Sequence, residues 1–370
     1  MGKRILINAS NLHVGGGIQV AASFISEISR IDHKLNLSVW VSKSVAKNLE
    51  SMNFDASNFA CYEVIDSHGW SFLFSKENVR IRDFDLIFTV FGPLYSFNRS
   101  VLKITGFAQG WLIYPKNEIS ARWGRLQRLA FSLKSRIQKY FFASTDIFVV
   151  ELGHVRQQLI KSGLAKGSSV EVVHNCVSSI FFTPDLWRPV AMPETEVDLK
   201  IGFLGRNYPH KNTSILPQAK EILFRKYGIN AEFIVTFRSE EWDECNDDFK
   251  HSIQNIGELS LAQCPSFYAE LDAVVFPSLL ECFSATPLEA MLMRKPLFAS
   301  DRAFNRDICG NHAFYFDPLN PESLAQIIFD TLNRNDLNDV LGAANFHAGS
   351  FSSSASRTTA YLKIMQDSLN

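Results

Sequence analysis

Two hydrophobic periods alternate along this chain. Short, nearly unbroken apolar runs at Arg4–Ser10, Leu37–Val41, Tyr62–Ile65, Leu86–Phe91, Leu102–Phe107, Ile147–Val150 and Val170–His174 read as buried strands. Lys200–Leu204, Ala273–Phe276 and Pro296–Ser300 extend the series into the second half. Between them lie stretches of helical period, such as Ile18–Ser29 and the run after Pro287, Leu288–Arg294. Strand and helix in regular alternation argue for an α/β fold built on doubly wound parallel sheets.

The clearest helical pattern runs from Glu118 to Phe142. Ile119, Trp123, Leu126, Ala130, Leu133, Ile137 and Tyr140 recur at spacings of four and three and form one apolar stripe. Its other faces carry Arg122, Arg125, Arg128, Lys134, Arg136 and Lys139, against the single acid Glu118. Such a helix either packs its stripe on the core with a solvated basic face, or attaches to anionic lipid headgroups or a lipid-linked acceptor. The two readings are compatible.

Length changes the picture, because 370 residues exceed what one core usually supports and point to two domains. Thr183–Asp198 carries Pro184, Pro189 and Pro193 among several acids and reads as the linker. The expected division is therefore a first domain over 1–182, a linker over 183–198, a second domain over 199–350 and a terminal segment over 351–370. The net charge of −1 hides an asymmetry: residues 1–185 sum to +7 and residues 186–370 to −8. A basic first half suggests that this domain faces an anionic surface or substrate. Six scattered cysteines, without a Cys-x-x-Cys pair, suit free thiols in a reducing cytosol. No apolar run has the length of a membrane span, and the start reads as a first strand rather than a signal peptide.

Candidate chemistry gathers at strand ends. His13-Val-Gly15-Gly16-Gly17 follows the first strand, and its glycines permit a sharp turn and close ligand approach. The third glycine of a dinucleotide fingerprint is missing, which argues against a Rossmann cofactor site. Asp83-Phe-Asp85 has the form of a metal-binding pair, but two carboxylates directly before a buried strand read as structural. Gln109, Trp111 and Tyr114 lie just beyond another strand. In the second half, Gly205-Arg206-Asn-Tyr-Pro-His-Lys211 follows Lys200–Leu204. Glu281 and Glu289, with seven residues between them, bracket the strand-to-helix turn after Ala273–Phe276. Ligands of parallel α/β sheets bind at such carboxyl ends, and the free N–H groups of a following helix favour an anion such as a diphosphate. Read alone, Glu289 also fits a capping box with Thr286, and Glu281 a solvated loop acid.

The bracket Glu281–Glu289 resembles the Glu-x7-Glu signature of retaining glycosyltransferases of family 4, which have the two-domain GT-B fold. Gly205-Arg206-x4-Lys211 is similar to the loop in that family whose cations hold the donor diphosphate. Val173-His-Asn175-Cys-Val177 is similar to its hinge, with Cys176 in place of glycine. Phe351–Thr359 and the helix Ala360–Leu369 resemble the terminal segment that crosses back to the first domain. The resemblance implies that Arg206 and Lys211 neutralise the diphosphate, Glu281 contacts the sugar and Glu289 binds ribose hydroxyls. Phe283, Ser284 and Ala285 then stand where the family has Phe-Gly-Leu. Gly16 and Gly17 match its donor-facing glycine loop, and Asn305 lies in a loop beside the same crevice. Gln109 is the nearest polar side chain where many members carry a histidine.

The implied activity is transfer, with retention, of a hexose or deoxyhexose from a nucleotide-diphosphate sugar to an oligosaccharide, lipid-linked acceptor included. No cofactor or metal is expected, and no nucleic acid partner. The overall character is that of bacterial surface-polysaccharide, lipopolysaccharide and O-antigen transferases, cytoplasmic and peripheral on the inner membrane face. A sugar-nucleotide epimerase of the same fold would need proton-transfer groups that the sequence does not display. A non-catalytic, membrane-associated GT-B subunit would have no need of both glutamates and both cations.

Overall fold

The computed structural model describes residues 2–50, 52 and 54–369. The chain divides into two compact units, Met1–Asn175 with Ser353–Asn370, and Cys176–Ser352. The first is built on seven parallel strands: β1 (Arg4–Ala9), β2 (Asn36–Val41), β3 (Cys61–Val64), β4 (Leu86–Thr89), β5 (Leu102–Gly106), β6 (Ile147–Val150) and β7 (Ser169–Val172). Their order is β3-β2-β1-β4-β5-β6-β7. The second has six: β8 (Leu199–Phe203), β9 (Ala231–Val235), β10 (Gln254–Asn255), β11 (Ala273–Phe276), β12 (Leu297–Ser300) and β13 (Phe314–Phe316), in the order β10-β9-β8-β11-β12-β13. Every pairing is parallel, so each sheet is doubly wound, as the alternating pattern requires.

Strand order reverses beside β1 in the first sheet and beside β8 in the second. At such a switch point the loops leaving neighbouring strands turn to opposite faces and open a crevice. The Gly205–Lys211 segment leaves β8, and the Glu281–Glu289 segment leaves β11, its neighbour across the switch. Topology thus brings together two stretches separated by 70 residues at Lys211 and Glu281.

One device repeats where these strands begin. Asp85, Asp146 and Asp272 each precede a strand, and each carboxylate accepts a backbone N–H from the strand alongside: Arg4 at 2.7 Å, Lys103 at 2.8 Å and Lys200 at 2.7 Å. Asp85 is therefore a register lock for β1 and β4. Two glycines are equally local in origin. A Cβ on Gly106 would lie 1.7 Å from the Val90 carbonyl oxygen, and one on Gly202 would lie 2.1 Å from Leu271 Cδ1. The first contact is with backbone, so β5 passes that point only as glycine, whereas a side chain on β8 at Gly202 would have to displace Leu271.

The terminal helix Ser354–Asp367 belongs to the first unit. Tyr361 packs edge-on against Phe24 and Phe88, ring centroids 5.0 Å from each. Arg357, 2% exposed, donates to Asn175 Oδ1 and Ser23 Oγ, joining this helix to the end of the first stretch of chain. The proline-bearing segment 183–198, expected as a linker, lies within the second unit, where Arg188 N donates to the Ala262 carbonyl and Gln263 Nε2 to that of Pro189.

The stretch 118–142 differs from the continuous helix its periodicity suggests. It forms a turn at Glu118–Ala121 and a separate helix at Arg125–Phe142. Asn117 caps the first through Ile119 N and Ser120 N, and Gly124 starts the second. Trp123 in the break stacks on Trp111, with centroids 5.3 Å apart, and Phe131 closes on Trp123 at 4.9 Å. The apolar stripe is not a core face: Leu126 is 83%, Leu129 68% and Leu133 61% exposed, and only Ser135, Phe141 and Phe142 of this helix are buried.

Candidate functional site

The site in the second unit is assembled from the loops leaving β8, β9 and β11. Gly205 opens the first, at φ 153°, a conformation that favours glycine, and donates its N–H to Thr236 Oγ1 at 3.1 Å. A tight turn over Pro209–Lys211 ends at Asn212, left-handed at φ 56°. The Asn212 amide reaches the Pro277 and Pro318 carbonyls at 3.3 and 2.8 Å, and Leu279 N donates to the His210 carbonyl at 2.7 Å. These bonds stitch the β8 loop to the β11 loop and fix Lys211 opposite Glu281.

Lys211 Nζ lies 2.6 Å from Glu281 Oε1, and both side chains are largely shielded, at 14% and 12% exposed. The ammonium also stands 5.2 Å from the centre of the Phe276 ring. His210 Nε2 is 4.0 Å from the same Glu281 oxygen, and burial pulls its imidazole below the ordinary value. A neutral imidazole and a charged ammonium thus flank one carboxylate.

Arg206 is held differently. Its Nε donates to Glu241 Oε1 at 2.6 Å, while Glu241 Oε2 accepts the Arg238 N–H at 3.2 Å in a capping box at the start of Ser239–Asp243. Glu241 is therefore anchored by backbone, and it grips the guanidinium by its Nε edge. The guanidinium carbon sits 5.5 Å from the Tyr208 ring centre. Arg206, Arg238, Ser239, Glu240, Glu241 and Glu258 line an open cavity here.

Glu289 does not form a capping box. Ala285 is the N-cap of the helix Thr286–Leu292, without a side-chain cap bond, and Thr286 lies inside the helix. The Glu289 carboxyl turns inward instead. It is 8% exposed, accepts the Tyr268 hydroxyl at 2.8 Å, and burial pushes it up to about 7. Phe283, Ser284 and Ala285 are half-buried along the loop between the glutamates, with Phe283 6.5 Å from Phe351.

Of the remaining expected residues, one belongs to the same unit and three to the other. Asn305 is fully buried, and its amide donates to the Ser300 carbonyl at 2.8 Å and hydroxyl at 2.9 Å. It braces the turn after β12 and offers no surface to a sugar. Gly16 and Gly17 belong to the first unit, where they form the first turn of the helix Gly16–Ile28 behind Gly15 at φ 78°. Gly17 also gives room to Phe91, whose ring would lie 3.3 Å from a Cβ there. Gln109, in the same unit, is the half-buried N-cap of Gly110–Ile113 and makes no side-chain cap bond. Sequence reasoning missed Glu241, Tyr268 and the closeness of His210. His210 stands inside the quoted loop, whereas Glu241 and Tyr268 come from helices whose sequences carry no motif. Among the described residues, no cluster of three or more His, Cys, Asp or Glu could hold a metal ion, and no disulfide joins the cysteines.

Residues 198–334, the greater part of the second unit, match the family described as Glycosyl transferases group 1. The O-antigen chain mannosyltransferase RfbU of Salmonella typhimurium is 21% identical over 174 residues, 46% of this chain and 46% of that protein. The match therefore spans about half of the relative's length. Among solved structures, Anabaena Alr3699/HepE in complex with UDP and glucose aligns over 99% of this chain and all of its own, with TM-score 0.68 and 14% identity. A glycosyltransferase from Rickettsia africae aligns over 100% of this chain and 99% of its own, with TM-score 0.71 and 16% identity. These likenesses extend over both units and identify the fold.

Proposed function

We propose that this chain, a GT-B fold whose residues 198–334 form a group 1 glycosyl transferase domain, is a retaining glycosyltransferase. Its donor is a nucleotide-diphosphate hexose or deoxyhexose and its acceptor a lipid-linked oligosaccharide in surface-polysaccharide synthesis. The observation that carries this reading is the meeting of Lys211 and Glu281 at the β8/β11 switch point, with Arg206 on the first loop and Glu289 in the helix that follows the second. Lys211 and Arg206 neutralise the diphosphate as charge develops on it, the part a divalent cation plays elsewhere. Glu281 receives sugar hydroxyls and Glu289 those of ribose. The bond between the anomeric carbon and the diphosphate oxygen breaks, and the acceptor oxygen bonds to that carbon on the same face. The hydroxyl proton passes to the departing phosphate oxygen, so no protein nucleophile is required. The relatives named for O-antigen assembly and for UDP binding support the substrate classes.

The helix Arg125–Phe142 supplies the membrane side of this reading. Leu126, Leu129, Leu133 and Tyr140 are exposed along it, a stripe about 21 Å long by helical rise. Phe97, also exposed, extends the stripe beside Tyr140 at 6.4 Å. Arg125, Arg128, Lys134 and Arg136 are exposed on the same helix, and Arg122 just before it. Apolar side chains rimmed by cations suit an anionic bilayer surface. No helix among the described residues is long and apolar enough to cross a membrane; the contact proposed is peripheral, on the cytoplasmic face.

Product configuration tests the reaction. EDTA-treated protein incubated with UDP- or GDP-hexoses and a lipid-linked oligosaccharide acceptor is expected to give an anomerically retained sugar by NMR. Inversion, or activity only on adding a divalent metal, would overturn the mechanism.

A further inference from the structure

Glu289 has a partner that no motif announces. Tyr268, on the helix Cys264–Ala269, is fully buried and donates its hydroxyl to Glu289 Oε2 at 2.8 Å. That helix is held tightly in place. Its Phe267 ring presses against β8 so closely that a Cβ on Gly202 would lie 2.9 Å away, and Phe181 covers Tyr268 at 5.9 Å between ring centres. The tyrosine hydroxyl is thus delivered from a rigid wall to one oxygen of a carboxyl that faces little solvent.

We infer that Tyr268 is the positioning residue for Glu289: it fixes the carboxyl's orientation and sustains its ionised form, leaving the second oxygen to accept the donor's ribose hydroxyls. This rests on the reading that Glu289 binds ribose. A buried carboxylate with a single hydroxyl donor is poorly solvated, and that donor then governs how readily it ionises. Tyr268 and Cys264, both on the same helix, are titratable groups that interact with Glu289. Burial, together with Glu289's charge, holds the Tyr268 hydroxyl well above its ordinary value and pushes the Cys264 thiol up to about 12. Near neutral pH both are uncharged, and the tyrosine stays a donor. Burial raises Glu289 to about 7 while the tyrosine's hydrogen bond pulls the other way. Removing the bond leaves burial unopposed, so ionisation moves to higher pH.

Calorimetric titration with UDP and with GDP, from about pH 6 to about pH 9, separates the possibilities. The ratio of variant to wild-type affinity at each pH cancels the ligand's own phosphate titration. Wild-type affinity is expected to rise through about pH 7, as Glu289 ionises. Tyr268→Phe is expected to move that rise up by about one pH unit, weakening binding at pH 7 by about five-fold and recovering much of it in alkali. Glu289→Gln is expected to flatten the profile and erase the preference for UDP or GDP over its 2′-deoxy form. An unshifted profile for Tyr268→Phe, with Glu289→Gln still weakened, would overturn the positioning role and leave the ribose reading standing. Unchanged affinity in Glu289→Gln, or no binding of either nucleotide to the wild type, would overturn the ribose reading and this inference with it.

Discussion

Arg206 and Lys211 carry the same charge on the same loop and are restrained by opposite means. Lys211 shares a shielded ion pair with Glu281, a partner that would itself turn to the sugar. Arg206 leans on Glu241, whose other oxygen is spent on a helix cap and which therefore cannot follow a ligand. A guanidinium gripped at Nε presents its two terminal nitrogens in a fixed plane, the fork that suits a phosphate. Glu241→Ala is expected to free that plane and weaken nucleoside diphosphate binding by about 1 kcal/mol, while Glu241→Gln, which keeps an acceptor, loses less. Titration calorimetry showing tighter binding in Glu241→Ala would mean that the glutamate competes with the diphosphate instead. Of this group, Arg206, Lys211, Glu281 and Glu289 were singled out by the resemblance of their two segments to family motifs at strand ends; read alone, they pass for loop cations, a solvated acid and a capping acid. Glu241 and Tyr268 were not legible, since a partner across a fold leaves no spacing to read. Asn305 shows the converse: it follows the right strand, but it lies in the helix Ala303–Cys309 and its side chain turns into the protein.

At the scale of elements, apolar runs located β1 to β8, β11 and β12 to within a residue or two, because a strand buried on both faces has little choice of composition. The buried β9 and the short β10 and β13 were not foreseen as strands. The stretch 118–142 was read as one helix because its spacings satisfy a helical period across the break. What periodicity omits is the cap at Asn117, the entry at Gly124 and the tryptophan stack between them. Nor does an apolar stripe say what covers it, and here Leu126, Leu129 and Leu133 face outward. Reversing Arg122, Arg125 and Arg128 to Glu is therefore expected to abolish sedimentation with anionic vesicles while leaving the melting temperature nearly unchanged. Because headgroup attraction is screened over roughly 8–10 Å, wild-type pelleting is also expected to fade with salt. Equal pelleting with neutral and anionic lipid would remove the electrostatic part of this surface.

For the whole molecule, the division into two units followed from length, but the places where the chain passes between them are marked by polar burial rather than by proline content. Asn175 ends the first stretch of its unit and Ser353 begins the second, and the side chains that join them there are buried. Arg357 bonds Asn175, and beside them Glu151, buried with its carboxyl bonded by Asn175, is pushed up to about 7 by burial against the opposing pull of Arg357. Between about pH 4.5 and about pH 7 the unfolded chain has lost this proton and the folded one keeps it, so this group makes stability fall as pH rises. Glu151→Gln is expected to flatten that part of the stability profile, read as melting temperature against pH. An identical slope in the variant would show that Glu151 is already ionised in the fold.

The claim on which the account turns is that Arg206 and Lys211 hold the donor's diphosphate. Calorimetric titration of UDP and GDP, each alongside its parent nucleoside, into wild type, Arg206→Ala and Lys211→Ala tests it directly. Each substitution is expected to cost the diphosphate about 1.5–3 kcal/mol, roughly ten- to a hundred-fold in Kd, and to leave the nucleoside's affinity as it was. Diphosphate affinity unchanged in both variants would contradict the account.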